Sequence, residues 1–367
     1  MRNWLNNFRY FDVYIATSST LLLVLGLLMI YSTTLEDASN LMWRQLAFAI
    51  AGYVGLFALA FFDYRKLKNA SWVVYLGVVL SLISVWLFGE TIQGSTRWFD
   101  VGFFLIQPSE FAKLGMVIVM AKFLDRNLER IKDFRYVAMF AIYAGIPAVL
   151  IFIEPDLGSS IVIFLIWLGM LLASNVNKRH LMILFAAFLV AASLSWFFVL
   201  QDYQKDRIHT FFNPESDPLG TGYNVIQSEI AVGSGEITGR GVGRGYQSQL
   251  NFLPARQTDF IFAAIAEELG FLGSMFVLGM FGVIFYRLVQ ATKHARDNFG
   301  MYLSLGVLIM FLSQMVINIG MNIKLAPVTG IPLPFVSYGG SSLLTSLFAL
   351  GLVQSIIARQ KALRFSQ

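Results

Sequence analysis

The chain contains no cysteine and little charge: only 13% of its 367 residues are Asp, Glu, Lys or Arg. The first absence excludes disulfides, thiolate nucleophiles and thiolate metal sites. Histidine is almost as scarce, and His180, His209 and His294 stand alone with no metal-ligand spacing between them. Scarce charge, set against 57% hydrophobic residues and a mean hydropathy of +0.66, excludes an ordinary soluble domain. A nucleotide-binding loop is missing too. The glycine-dense GSGEITGRGVGRG, 233 to 245, lacks the G-x-x-x-x-G-K-[ST] order and follows no strand.

What is present is a series of apolar runs able to cross a hydrocarbon core of about 30 Å. They fall at 12–31, 41–62, 71–88, 108–124, 136–153, 157–173, 180–200, 259–287, 300–322 and 334–358. Ten runs predict an all-α polytopic membrane protein, one transmembrane domain over 1–367 with both termini on the same side. With the N-terminus inside, most of the 27 lysines and arginines fall in cytoplasmic segments, as the positive-inside rule requires. The net charge of +5 then reflects topology, and its dispersal among short loops implies no nucleic-acid partner. Arg2 and Arg9 precede the first run as in a signal peptide, but the run exceeds a signal core and no A-x-A site follows, so a retained helix is expected.

Residues 201–258 form a long external stretch. Its GYNVIQSEIAV segment, 222 to 232, has apolar residues at helical spacing, which predicts a partly helical cap. Three more sequence-dense stretches occupy outward junctions: STRWFDVGFFLIQPSEFAKLG (95 to 115), IEPDLGSS (153 to 160) and GIPLPFVSYGGSS (330 to 342). The chemistry is therefore expected outside, where no ATP pool drives it.

The motif LPARQTDFIFAAIAEELGF, 253 to 271, carries three carboxylates into an apolar segment. Thr258 and Asp259 suit a plain helix N-cap. Asp259 also shares a helical face with Ala263, Ala266 and Gly270. That stripe reads either as a small-residue packing seam or as a cavity wall beneath a carboxylate raised toward general-base range. Glu267 is a candidate neighbour in such a cavity, while Glu268 points away and suits a bond to another helix. Pro108 and Ser109 start a helix, and Glu110 and Lys113, three residues apart, suit a self-neutralising ion pair near a cavity floor. Arg97 beside Trp98 suits a phosphate contact at headgroup level or an aromatic-belt anchor. The 233–245 stretch is a flexible hinge or a backbone nest in which Arg240 and Arg244 meet a diphosphate. The EPDLGSS and PLPFVSYGGSS stretches, including Ser337, read as mainly structural.

Together STRW, QPSEFAKL, EPDLGSS, DPLGTGY, QTDFIFAAIAEELG and PLPFVSYGGSS resemble, in order and through nearly the whole chain, the signature regions of the SEDS family (shape, elongation, division and sporulation). IAVGSGEITGRG and the short termini are more similar to its elongation branch than to its division branch. The resemblance implies a ten-helix peptidoglycan glycosyltransferase that polymerises lipid II at the outer face of the bacterial inner membrane. It places the family's essential aspartate on Asp259 and its buried acid and base on Glu110 and Lys113. It also implies partnership with a class B penicillin-binding protein and other elongation-complex membrane proteins. One departure is that Ala255 and Gln257 stand where the family often has an acid and a histidine.

The expected mechanism has Asp259 as general base, with the leaving diphosphate stabilised by Arg97, Arg207, Arg240, Arg244 or Lys324, or by a divalent cation (Mg2+ or Mn2+). The sequence does not choose among these. Two rivals stand beside it, a lipid II flippase and a non-catalytic scaffold for a penicillin-binding protein. The crowding of polar clusters on one side favours the enzyme over a transporter, whose polar site lies at mid-membrane.

Overall fold

The structure, a computed structural model, describes residues 11–35, 40–92, 95–102, 104–198, 200–218, 220 and 222–364. Arg2 and Arg9 lie outside the described residues. The helices are α1 (Val13–Thr33), α2 (Leu41–Phe61), α3 (Arg65–Phe88), α4 (Pro108–Arg126), α5 (Phe134–Ile153), α6 (Leu157–Leu172), α7 (Lys178–Phe198), α8 (Asp202–Phe212), α9 (Tyr223–Ser234), α10 (Tyr246–Gln249), α11 (Ile261–Lys293), α12 (Asn298–Asn322) and α13 (Gly340–Arg364). A helix lies over each expected apolar run. Eight of them, α1, α2, α3, α5, α7, α11, α12 and α13, are long and apolar enough to cross a membrane by length and composition. Charge keeps α4 out of that set, since Glu110, Lys113, Lys122, Asp125 and Arg126 lie in it. At 16 residues α6 falls short of the roughly 20 a straight crossing takes. The long 201–258 stretch is partly helical, containing α8, α9 and α10.

Lipid tails are as apolar as leucine, so helices in a bilayer associate through close packing and interhelical hydrogen bonds. The most apolar window of α13 is 89% buried, whereas none of the α7 window is. Close approach explains the α13 position. A Cβ at Gly351 would lie 2.7 Å from the Leu56 carbonyl oxygen, and one at Gly52 would strike Leu347. Polar side chains complete the contact. Gln354 on α13 donates to the Asp12 carbonyl and accepts from the Asp12 amide, both at 2.9 Å. Gln45 on α2 donates to the Ser337 carbonyl at 3.1 Å and accepts from the Gly339 amide at 3.2 Å.

Two features were not foreseen. Between α3 and α4 the chain forms a small antiparallel sheet, β1 (Glu90–Ile92), β2 (Ser95–Asp100) and β3 (Leu105–Ile106), in that order. It carries Arg97 and Trp98 on β2, with Trp98 opposite Glu90. The second is a break in α11 at Gly270, whose φ of 68° and ψ of −161° only glycine adopts readily. The interrupted helix bonds to the glycine-rich segment instead. Amides of Phe271 and Leu272 donate to the carbonyls of Glu236 (2.9 Å) and Ile237 (3.1 Å), and amides of Arg240 and Gly241 donate to the carbonyls of Glu267 (3.0 Å) and Glu268 (2.9 Å). The 233–245 stretch is thus neither a free hinge nor an anion nest. Amides that would line a nest are spent splicing the broken helix, and a Cβ at Gly239 would lie 2.2 Å from the Glu268 carbonyl oxygen.

Candidate active site

The site is built around the entry to α11. Phe260 occupies the N-cap with no side-chain cap bond, and the buried first-turn amide of Ala263 is satisfied from α12 by Asn322 Oδ1 at 2.9 Å. Asp259 is therefore not the N-cap acceptor that its position suggested. Its backbone is held instead, since the side-chain amides of Asn318 and Asn322 both donate to the Asp259 carbonyl at 3.0 Å. Asn318 also donates to the Ile331 carbonyl at 2.8 Å. Ser337 Oγ donates to the Thr258 carbonyl at 2.6 Å while accepting from the Leu333 amide at 2.9 Å. The Tyr338 amide donates to the Gln257 carbonyl at 2.8 Å. Ser337, expected to be structural, thus positions the motif itself. The half-buried Asp259 carboxylate extends toward Gly330, where an added Cβ would lie 3.5 Å from its Oδ2.

Burial raises the Asp259 carboxyl above its ordinary range, and this is the largest influence on it. Arg97 opposes the shift most strongly, followed by a hydrogen bond with Thr258 and the charge of Arg207, whereas Asp156 adds to it. Arg97 comes from β2. Its guanidinium lies 3.6 Å from Asp156 Oδ1 and 4.4 Å from the centre of the Trp98 ring, and its buried Nε has no partner. Asp156 caps α6 by accepting from the Ser159 amide at 3.0 Å. Its other oxygen accepts from Gln107 Nε2 and Ser109 Oγ, each at 3.0 Å. Next to it Glu154 is buried with both carboxyl oxygens unpartnered. Burial first and Asp156 second push the Glu154 carboxyl up to about 8, against the pull of Arg97. The EPDLGSS turn, read from sequence as mainly structural, therefore brings two acids into the electrostatic field of Arg97.

The other expected residues sort by their partners. Glu110 and Lys113 form the anticipated buried ion pair, 2.7 Å apart in the first turns of α4. Glu267 was expected to share a cavity with Asp259. It accepts instead from the amides of Gln247 (2.8 Å) and Ser248 (3.0 Å) and pins α10 to α11. Glu268 makes the interhelical bond expected of it, accepting from Ser32 Oγ on α1 at 2.6 Å. The small-residue stripe is a packing seam rather than a cavity wall. Ala263 packs with Ala231 of α9, Leu253 and Phe260, and Gly235 lies against the Ala266 carbonyl. Of the five candidate cations, Arg97 and Arg207 act on Asp259, and Arg207 also donates to the Val328 carbonyl at 3.4 Å. Lys324 is paired with Glu229 of α9 at 2.9 Å. Arg240 is exposed with its guanidinium 5.4 Å from the Tyr246 ring centre, and Arg244 is exposed.

Among the described residues no group of three or more His, Cys, Asp or Glu is placed to hold a metal ion. Asp156 accepts three hydrogen bonds and pairs with Arg97 at 3.6 Å, which leaves the unpartnered Glu154 carboxyl beside it too few ligands for a dedicated divalent-cation site.

A family model described as cell cycle protein, spanning FtsW, RodA and SpoVE, matches residues 13–362. The chain belongs to this SEDS family. Among SEDS relatives, the peptidoglycan glycosyltransferase MrdB of Escherichia coli K12 is 38% identical over 346 residues, 93% of this chain and 92% of the relative. A solved chain, described under "structural coordination of polymerization and crosslinking by a peptidoglycan synthase complex", superposes with a TM-score of 0.81 at 31% identity, covering 95% of this chain and 98% of that one. The crystal structure of Thermus thermophilus RodA gives a TM-score of 0.70 at 27% identity, with coverage of 95% and 96%. The SEDS fold thus accounts for the whole helical array.

Asn318, Asn322, Glu154 and Asp156 were not singled out by sequence reasoning as part of the Asp259 site. A signal existed for the first pair, two amides four residues apart on one face of an apolar helix.

Proposed function

We propose that this SEDS chain is a peptidoglycan glycosyltransferase acting in cell elongation, polymerising lipid II with Asp259 as general base. The observation that carries the reading is the treatment of Asp259. Its backbone is clamped by two asparagines, its expected capping role is taken by Asn322, and its carboxyl is raised by burial beside two arginines. Asp259 takes the proton of the GlcNAc 4-hydroxyl of one lipid-linked disaccharide. That oxygen bonds to the anomeric carbon of the other, and the bond to undecaprenyl diphosphate breaks. The electron pair leaves on the diphosphate, for which Arg97, with its unpartnered Nε, and Arg207 supply positive charge. The base alone contributes about 10² to 10⁴ in rate, and alignment of the two lipids supplies much of the remainder.

In this reading the helical array spans the bacterial inner membrane ten times with both termini cytoplasmic, and the Asp259 face lies outside. The structural likeness to a chain of a synthase complex that couples polymerisation to crosslinking supports a class B penicillin-binding protein as partner. The experiment is incubation of the purified chain with lipid II, alone and with such a partner, followed by electrophoresis of the products. Glycan polymer that depends on Asp259 supports the enzyme. Lipid II crossing vesicle membranes with no polymer under any partner condition assigns a flippase, and neither activity leaves a scaffold.

A further inference from the structure

At the opposite end of α4 from Gln107 and Ser109, a cavity of about 340 Å³ opens between the start of α3, the end of α4 and the start of α5. Three of its lining residues are cations, Lys122, Arg126 and Arg130, and none is an acid. Of the nearby acids, Asp125 pairs with Lys68 at 2.7 Å and Glu129 with Lys132 at 3.0 Å, while Asp133, before α5, is exposed and does not line the cavity. Among the described residues Arg126 has neither a hydrogen-bond nor an ion-pair partner. Lys122 gives one of its three donors to the Lys68 carbonyl at 2.8 Å, and Arg130 reaches the Tyr136 hydroxyl at 3.3 Å.

Membrane topology explains basic residues at this end of the bundle, but it does not explain the cavity. On its wall Tyr75 is only 8% exposed and its hydroxyl has no partner, although its ring is packed against Tyr143 at 5.3 Å and Trp72 at 5.8 Å. A buried hydroxyl left unsatisfied is costly, and an anionic oxygen entering the cavity would accept from it. The lip is apolar and open to the surroundings, with Trp72 61% and Met139 37% exposed. A cationic, acid-free cavity with an orphaned hydroxyl inside and an apolar lip matches a phosphodiester headgroup whose acyl chains lie along the outer face of α3 and α5.

We propose that this cavity binds the phosphate of an anionic phospholipid such as phosphatidylglycerol, through Lys122, Arg126, Arg130 and the Tyr75 hydroxyl. The site is separate from the one around Asp259 and does not depend on the activity assigned there. A basic residue near a membrane surface contributes about a fivefold gain in affinity for acidic lipid, so removing two lowers it about twenty-fivefold.

The test is native mass spectrometry of the full chain in detergent, titrated with phosphatidylglycerol and with phosphatidylcholine. The expected result is preferential retention of phosphatidylglycerol, lost about twenty-fivefold in the exposed pair Arg126→Gln/Arg130→Gln at unchanged melting temperature. Tyr75→Phe, which removes only the hydroxyl, should lower retention about threefold to tenfold. Equal retention of the two lipids, or phosphatidylglycerol retention unaltered in the double variant, would overturn the proposal. Displacement of bound phosphatidylglycerol by inorganic phosphate at an equal concentration would assign the site to a soluble phosphate instead and overturn the lipid assignment.

Discussion

Replacing Asn322 with leucine tests how the fold holds Asp259. The side chain makes three bonds: it caps the Ala263 amide at 2.9 Å and donates to the carbonyls of Asp259 at 3.0 Å and Asn318 at 2.8 Å. Leucine is nearly isosteric and makes none of them. Ala263 is fully buried, so its amide is left unsatisfied at a cost of about 1–3 kcal/mol, and each of the other two bonds adds about 0.5–1.5 kcal/mol. The burial of leucine returns part of this. The expected net loss is about 2–4 kcal/mol in detergent-phase unfolding followed by tryptophan fluorescence. Asp259 keeps one clamp, from Asn318, and loses the other, and a displacement near 1 Å costs about 10² in turnover. The lipid II polymerisation rate at saturation should therefore fall about 30- to 100-fold, while KM moves less than about threefold. Asn322→Asp retains an acceptor for Ala263 but sets its second oxygen against two carbonyls, so it should lose turnover as well. Turnover within about threefold of the parent, measured on folded Asn322→Leu protein, would refute the positioning argument.

Three further outcomes follow from the same geometry. Glu154→Gln should remove a pH dependence of stability. Because the folded-state carboxyl is raised from 4.5 to about 8, the protonated acid's contribution is full below about pH 4.5 and is lost as pH rises through about 8; denaturation curves of parent and variant should agree near pH 4 and favour the variant at pH 8, and parallel curves would contradict this. Gly270→Ala should cost at least about 3 kcal/mol and lower the folded yield, since its Cβ would lie 2.3 Å from the Gly239 amide nitrogen at a φ of +68°; a yield equal to the parent's would show that α11 closes the break without strain. Glu268→Leu removes an acceptor shared by Ser32, Gly243, Ser248 and Gln249 and leaves the Gly243 amide only Ser32 Oγ at 2.9 Å, so hydrogen exchange at that amide should accelerate by about threefold to tenfold; unchanged protection would show that Ser32 alone holds the loop.

The helical array was legible because its signal is local: an apolar run long enough to span a bilayer announces a helix without reference to the rest of the chain. Glu110 and Lys113 were legible for the same reason, since a three-residue spacing on one helix already places them together. What stayed hidden depends on contacts between distant segments. The 233–245 glycines look like a hinge or an anion loop, and only the break at Gly270 in another element shows that they complete α11. Asp156 reads locally as a helix cap, which it is, but its ion pair with Arg97 forms across 59 positions of sequence. Glu267 was assigned by angle along a helix drawn as continuous from Asp259. The structure starts that helix at Ile261 and lays α10 against Glu267, which accepts its amides. The three-residue β1 and two-residue β3 are too short to show strand periodicity. The reading of Asp259 as the centre of the site rests on motif resemblance, and the geometry adds that its backbone is clamped while its carboxylate caps no helix.

The most direct measurement of the central claim is the initial rate of glycan polymerisation by Asp259→Asn beside the parent, using the same partner protein and lipid II preparation. A lost general base predicts a fall of about 10² to 10⁴, with lipid II binding retained. A rate within about threefold of the parent would contradict the assignment of Asp259 as the base.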